Sequence, residues 1–188
     1  MTVRPRSADL LYPAAALLKE APGASRIERI AEAMVDLGPD LRQASPAEGR
    51  LRLARTNRGL LVNATVRTSL ALECSRCLRD VEVPLDLTIA EEALPSIDIA
   101  TGLAIDVSVE PDVIRLTEAH ELDVESLLRE AIQLAEPIAP LCRPDCPGLC
   151  VVCGAELASG AHDHPGEEID PRLEVLRALK VDGERETG

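Results

Sequence analysis

The stretch that decides the fold runs Asn57-Arg58-Gly59, then Leu60-Leu61-Val62-Asn63-Ala64-Thr65-Val66-Arg67-Thr68-Ser69-Leu70-Ala71-Leu72, then Glu73-Cys74-Ser75-Arg76-Cys77, then Val81-Glu82-Val83-Pro84-Leu85-Asp86-Leu87-Thr88-Ile89. Val62, Ala64, Val66, Thr68 and Leu70 alternate with Leu61, Asn63, Thr65, Arg67 and Ser69, the period of a strand with one wet face. Val81, Val83, Leu85, Leu87 and Ile89 alternate with Glu82, Pro84, Asp86 and Thr88 in the same way. Two such runs joined by a short link predict an antiparallel hairpin with Cys74 and Cys77 at its tip. Upstream, Leu51, Leu53 and Ala54 lead into Asn57-Arg58-Gly59, a turn signal that adds another strand.

Working outward, Ala14 to Glu20 reads as a short helix ended by Pro22-Gly23, whereas the mixed period of Ser25 to Leu37 fits a helix or an irregular strand. Ile105 to Val109 and Val113 to Leu116 read as short strands separated by Glu110-Pro111-Asp112. Asp123 is placed to cap a helix whose stripe is Leu127, Leu128, Ala131, Ile132, Leu134 and Ala135, stopping at Pro137. His120, in an acidic stretch with no cysteine near it, is expected at the surface. Beyond Pro137 the composition turns to Pro, Cys, Gly and His, and Asp170-Pro171 opens a last short helix through Leu173, Leu176 and Leu179. The expected architecture is α+β: an antiparallel β-sheet or partly closed barrel with a few helices and a metal-organised C-terminal segment. Residues 1–136 would form the mainly β domain with one long helix near its end. Residues 137–188 would form the Cys/His-rich segment, its short C-terminal helix packed on the first domain.

The cysteines fall in pairs: Cys74 with Cys77, Cys142 with Cys146, and Cys150 with Cys153; His162 and His164 follow. Two-residue spacing lets a tight turn present both thiolates to one tetrahedral zinc ion. Six cysteines and two histidines make eight ligands, the number that two closed four-coordinate sites consume. Disulfides are the competing explanation, but a two-residue spacing closes a strained ring when oxidised. The core also gains from a metal cross-link: Tyr12 is the only aromatic residue of 188, so aliphatic side chains must do the burial that rings usually share.

The pairs can be grouped into two sites in three ways. The preferred one joins Cys74 and Cys77 with Cys142 and Cys146, and leaves Cys150, Cys153, His162 and His164 as a local site. The runner-up gives one ion to the four C-terminal cysteines and the other to Cys74, Cys77, His162 and His164. Sites filled by protein keep no position for water or substrate, which makes two structural Zn2+ ions the expected cofactors.

Charge divides the chain. Residues 1–79 carry 13 Lys/Arg against 8 Asp/Glu, and residues 80–136 carry 2 against 15. Arg42, Arg50, Arg52, Arg55, Arg58 and Arg67 meet only Glu48 locally, which suits either a solvated sheet face or phosphate. A net charge of −13 and the lack of a stacking platform are unusual for an RNA binder. Any RNA contact would fall to Arg50, Arg52, Arg55, Arg58, Arg67, Arg76 and Arg79 through backbone phosphate, and the acidic belt from Asp80 to Glu136 would suit a basic protein. Arg4, Arg6 and the run Leu10 to Leu18 loosely imitate a signal peptide, but Asp9, Tyr12-Pro13 and Lys19-Glu20 break the pattern. No stretch approaches the roughly 20 apolar residues of a membrane span, so a soluble cytoplasmic protein is expected.

Thr56-Asn57-Arg58-Gly59-Leu60-Leu61-Val62, Leu72-Glu73-Cys74-Ser75-Arg76-Cys77-Leu78, Leu141-Cys142-Arg143-Pro144-Asp145-Cys146-Pro147-Gly148-Leu149-Cys150-Val151-Val152-Cys153-Gly154 and Asp170-Pro171-Arg172-Leu173 together resemble the YceD family, the bacterial and plastid large ribosomal RNA subunit accumulation proteins. The resemblance covers most of the chain from about residue 49 onward. It implies a role in accumulation of large-subunit (23S) ribosomal RNA, hence ribosome biogenesis, with no enzymatic activity and no catalytic residues. The implied partners are a large-subunit precursor, its ribosomal RNA or a ribosomal protein, without membrane or small-molecule substrate. Where the family often has further cysteines, this chain has His162 and His164. Two other classes compete: a thiol redox protein or sensor using the cysteine pairs, and a zinc-ribbon adaptor of the transcription machinery. No phosphate-cradling glycine loop, nucleophile elbow or catalytic carboxylate pair stands out.

Overall fold

The computed structural model describes residues 10–106, 110, 112–160, 164 and 172. Four strands build the frame: β2 (Ser25–Ala33), β3 (Arg42–Arg55), β4 (Leu60–Glu73) and β5 (Asp80–Leu94) follow β1 (Leu11–Pro13) and the one-turn helix α1 (Ala15–Leu18). β6 (Ile114–Arg115), β7 (Glu121–Asp123), helix α2 (Val124–Leu134) and a 3₁₀ turn at Leu157–Ser159 complete the described elements. The order β2-β3-β4-β5-β6 is a simple meander until its last member; β6 lies parallel to the end of β5, pairing Ala93 with Ile114 and Leu94 with Arg115. β1 and β7 form a small antiparallel pair beside it. The fold is therefore α+β, as expected, with an open mixed sheet and not a barrel.

The alternation in β4 and β5 has the predicted consequence. Val62, Ala64, Val66 and Leu70 are buried with Leu85, Leu87 and Ile89 on one face, and Leu51 and Leu53 of β3 join them. Leu127, Leu128 and Ile132 of α2 and Leu17 and Leu18 of α1 belong to the same aliphatic core. The turn before β4 is held by Thr56 and Arg55. Thr56 Oγ1 accepts from the Gly59 amide at 2.9 Å, and the Arg55 guanidinium donates to the carbonyls of Leu18 and Gly59 at 3.0 Å each. Gly59 is required by close approach, since a Cβ there would lie 2.3 Å from the Ala93 carbonyl oxygen.

Several expectations are corrected. The ambiguous segment from Ser25 is a strand; its period breaks where the β2–β3 register shifts between Ile30 and Ala33, with Glu32 at φ 50°. Buried Gln43 braces this irregularity by donating to the Ala33 carbonyl and Thr68 Oγ1 and accepting from the Val35 amide. Ala104 makes only an isolated bridge with Ile97, and Ile105 and Asp106 are in no strand; Val107 to Val109 lie outside the described residues. Leu134 leaves the expected helical stripe, being 80% exposed. His120 is half-buried in the turn before β7, at φ 58°, with its amide bonded to the Thr117 carbonyl. Asp123 caps α2 as predicted, accepting from the Ser126 amide. The helix expected from Asp170 falls outside the described residues. Among the described residues, no helix is long and apolar enough to cross a membrane.

Candidate metal centre

The β4–β5 hairpin turns at Cys74-Ser75-Arg76-Cys77-Leu78-Arg79, between the paired Glu73 and Asp80. The Cys74 amide donates to the Arg79 carbonyl at 2.8 Å and the Leu78 amide returns to the Cys74 carbonyl at 2.9 Å. This closes the turn so tightly that Leu78 takes φ 59°, a left-handed conformation uncommon for a branched side chain. The segment leaving α2 docks on the turn. Pro140 accepts from the Ser75 amide at 2.8 Å, and the Arg76 guanidinium donates to the Cys146 carbonyl at 2.9 Å. Cys74, Cys77, Cys142 and Cys146 thereby converge, with their sulfurs all within 4.8 Å of one another.

The observed separations are 3.8 Å for Cys74 to Cys146 and 3.7 Å for Cys77 to Cys142. Sulfurs at about 2.3 Å from one tetrahedral zinc lie about 3.8 Å apart, whereas a disulfide needs about 2.05 Å. None of the six cysteines is joined in a disulfide. Their mutual electrostatics point the same way. Hydrogen bonding from the backbone of Cys142, and then of Arg76 and Cys77, lowers the Cys74 thiol to about 6 against the effect of burial. Backbone and side-chain hydrogen bonds from Arg79 lower Cys77 as well. Cys142 is pushed up to about 12, first by its hydrogen bond with Cys146, then by burial and the other thiols. One sulfur is thus favoured as thiolate while a neighbour resists ionisation, and a dication is the group that lets all four ionise.

A second group forms in the following unit of the chain, which begins at Pro147. Cys150, Cys153 and His164 lie within the same 4.8 Å limit. Cys150 Sγ is 3.2 Å from His164 Nε2, somewhat less than the roughly 3.6 Å that a shared tetrahedral zinc would set. The Val152 amide points at Cys150 Sγ from 3.4 Å. Here Cys153 is exposed and Cys150 half-buried. His162, the expected fourth ligand, lies outside the described residues. The donor set of soft thiolate and imidazole fits zinc in both groups, and the preferred grouping of the pairs is the one in which the described ligands are placed.

The arginines do not form one patch. Arg55 holds the β3–β4 turn, Arg58 pairs with Glu110, Arg67 with Asp86 at 3.0 Å, and Arg76 serves the cysteine turn, where Arg79 also lies. Arg50 and Arg52 remain on the outer sheet face and gain a neighbour that sequence reasoning missed, Arg29. The strand register aligns Arg29, Arg50, Thr65 and Thr88 in one row across four strands. They line a shallow depression of about 560 Å³. Two guanidiniums directly opposite each other repel, a cost that an anion would relieve. The signal was available only after Ser25–Ala33 was known to be a strand in this register.

Comparison with known proteins places residues 62–180 under the model for "Large ribosomal RNA subunit accumulation protein YceD". An uncharacterized protein of Mycobacterium tuberculosis is 39% identical over 127 residues, covering 67% of this chain and 58% of the relative. An uncharacterized protein of Mycobacterium leprae is 33% identical over 128 residues, covering 68% and 56% respectively. The chain thus spans less than two thirds of the length of these relatives. No solved structure matches significantly.

Proposed function

Since this chain belongs to the YceD family, the large ribosomal RNA subunit accumulation proteins, we propose that it is a non-enzymatic, cytoplasmic factor of large-subunit biogenesis. It supports accumulation of 23S ribosomal RNA, and two structural zinc ions hold its surface in shape. Family membership is the observation that carries this reading. The geometry supports it in two ways. The first cysteine cluster has three buried sulfur ligands and a half-buried one, Cys142, and is filled by four protein sulfurs, which suits a structural ion and leaves no place for substrate. The Arg29–Arg50 row on the outer sheet face, with Arg52 beside it, suits backbone phosphate of the precursor RNA.

The lowered thiol of Cys74 is the feature that favours thiol redox chemistry. That sulfur is fully buried, however, and reactive thiols need access as well as a low pKa. Metal analysis of the purified protein should give about two zinc per chain. In gradients of cell extract the protein should travel with large-subunit precursors, and its depletion should lower 23S relative to 16S ribosomal RNA. A zinc-free protein absent from those particles, with unchanged 23S levels, defeats the proposal.

A further inference from the structure

Strand β5 is paired along one side only for most of its length. β4 covers it from Asp80 to Ala93, whereas β6 reaches only Ala93 and Leu94 on the other side. Over Asp80–Glu92, among the described residues, no strand or loop backbone takes up the amides and carbonyls that alternate residues direct away from β4. An open edge of this length is a template for pairing with another chain. Pro84 removes a donor from its first half, leaving Leu85–Glu92 as the uninterrupted part.

A groove of about 320 Å³ runs along that same part, with β5 as one wall and α2 as the other. Leu87, Ile89, Leu127 and Leu134 contribute its apolar surface, and Glu91 and Glu130 its charge. Leu134, 80% exposed on the last turn of α2, is the residue that departs from the predicted core stripe. Asp86 is engaged by Arg67, but Glu91 and Glu130 are exposed and have no cationic partner among the described residues. An edge strand beside a helix, with an apolar floor between them, is the arrangement that receives an extended peptide by strand addition.

We infer that this groove receives an extended, Lys/Arg-bearing segment of a partner protein, which pairs with Leu85–Glu92 as an added strand. Charge decides among occupants. β5 carries five carboxylates and no Lys or Arg, so a second copy of the same edge is repelled and so is a nucleic-acid backbone. Glu91 shares the α2-facing side of β5 with Leu87 and Ile89, and Glu130 lies on the α2 stripe of Leu127 and Leu134. The alternate residues of the segment that turn toward α2 therefore supply both the apolar side chain for Leu127 and Leu134 and the basic one for Glu91 and Glu130. The inference rests on the biogenesis reading only for which protein supplies the segment. It is separate from the phosphate-facing row on the outer sheet face.

The test uses the zinc-loaded protein and a synthetic peptide of about eight residues, the length of the open edge, in which Val and Lys take turns at every second position with Thr between them, so that both face α2. Labelled peptide should bind, and amide chemical-shift changes should concentrate in 85–92 and 127–135. Glu91→Gln and Glu130→Gln should each weaken binding about 5-fold at low salt. Leu134→Arg, at an exposed position, should abolish it while leaving the circular dichroism spectrum unchanged. Methylating alternate peptide amides should abolish binding too, since strand pairing needs those donors. Equal binding of an analogue with Glu in place of each Lys, tolerance of amide methylation, or shifts confined to the outer sheet face would each overturn the inference. Co-sedimentation with large-subunit precursors is read separately, so the docking mode can fail while the biogenesis role stands.

Discussion

The two close cysteine turns have the same backbone and different surroundings. In Cys74–Arg79 and Cys150–Ala155 the first cysteine's amide donates to the carbonyl five residues on, at 2.8 Å in both. The amide four residues on returns to that cysteine's carbonyl, at 2.9 and 2.8 Å. Both turns are flanked by a paired couple, Glu73 with Asp80 and Leu149 with Glu156. The first ends two strands of 14 and 15 residues, whereas the second is closed by an isolated bridge. The first meets ligands from a segment more than sixty residues away, and the second meets one from fourteen residues away. One turn therefore cross-links a fold that its sheet already organises, and the other organises a segment with little core of its own.

The sharpest break of this comparison is removal of one sulfur from each turn. Cys74→Ser takes a buried ligand from a long-range cross-link and should cost at least about 3–5 kcal/mol, since structural zinc contributes its binding free energy to folding. One zinc equivalent should be lost, and the denaturant midpoint of the sheet should fall in the same preparation. Cys150→Ser should also lose one equivalent but leave the sheet's midpoint within about 0.5 kcal/mol, as changes away from a packed core usually do. Equal losses of sheet stability in the two variants would show that the second cluster is as integral to the sheet as the first.

The next break is pH, applied to the metal-free protein. Cys74 is lowered to about 6 from an ordinary thiol near 9. Its contribution to stability is full above 9 and fades as pH falls through 6. Cys142 is raised to about 12, so its contribution is full below 9 and is lost as pH rises toward 12. The two limbs meet near pH 9, where the metal-free sheet should be most stable. Zinc should remove the alkaline limb, because a bound Cys142 is already a thiolate at neutral pH. Thermal melts from pH 5 to 11, with and without zinc, read both limbs.

How much of this was legible in the sequence depended on whether one periodicity governed a segment. β4 and β5 were readable because apolar and polar residues alternate along nearly their whole length, and Cys74 and Cys77 then had to fall at the tip. The grouping of Cys142 and Cys146 with that tip followed from the preference for tying the sheet to the segment leaving α2, and the docking bonds to Pro140 and Cys146 carry it out. β2 was not readable, since the irregularity at Glu32 breaks its period. With β2 unplaced, Arg29 could not be set opposite Arg50. β6 depends on a parallel neighbour more than twenty residues back in the chain, information that no local pattern contains. Leu134 misled because a helical stripe does not reveal where its covering layer ends.

The smallest expected effect tests whether the two turns differ in strain as well as in surroundings. Position four after the first cysteine has φ 59° at Leu78 and φ 72° at Gly154. Glycine adopts this region freely, whereas a side chain there costs about 1–2 kcal/mol. Leu78 is 61% exposed, so truncating it forfeits little burial. Leu78→Gly should therefore raise the stability of the zinc-loaded sheet by about 1 kcal/mol, less what glycine's freedom in the unfolded chain takes back. At Gly154 an added Cβ would meet nothing within 4 Å, so the effect of Gly154→Leu should be conformational alone. It should weaken metal retention in the second cluster about 5- to 30-fold, the same energy read as an affinity. Competition with a chromophoric zinc indicator measures that loss, and denaturant unfolding measures the gain at Leu78. If Leu78→Gly is instead destabilising by a similar amount, the side chain does something its exposure does not show, and contact with a partner at the hairpin tip becomes the next thing to test.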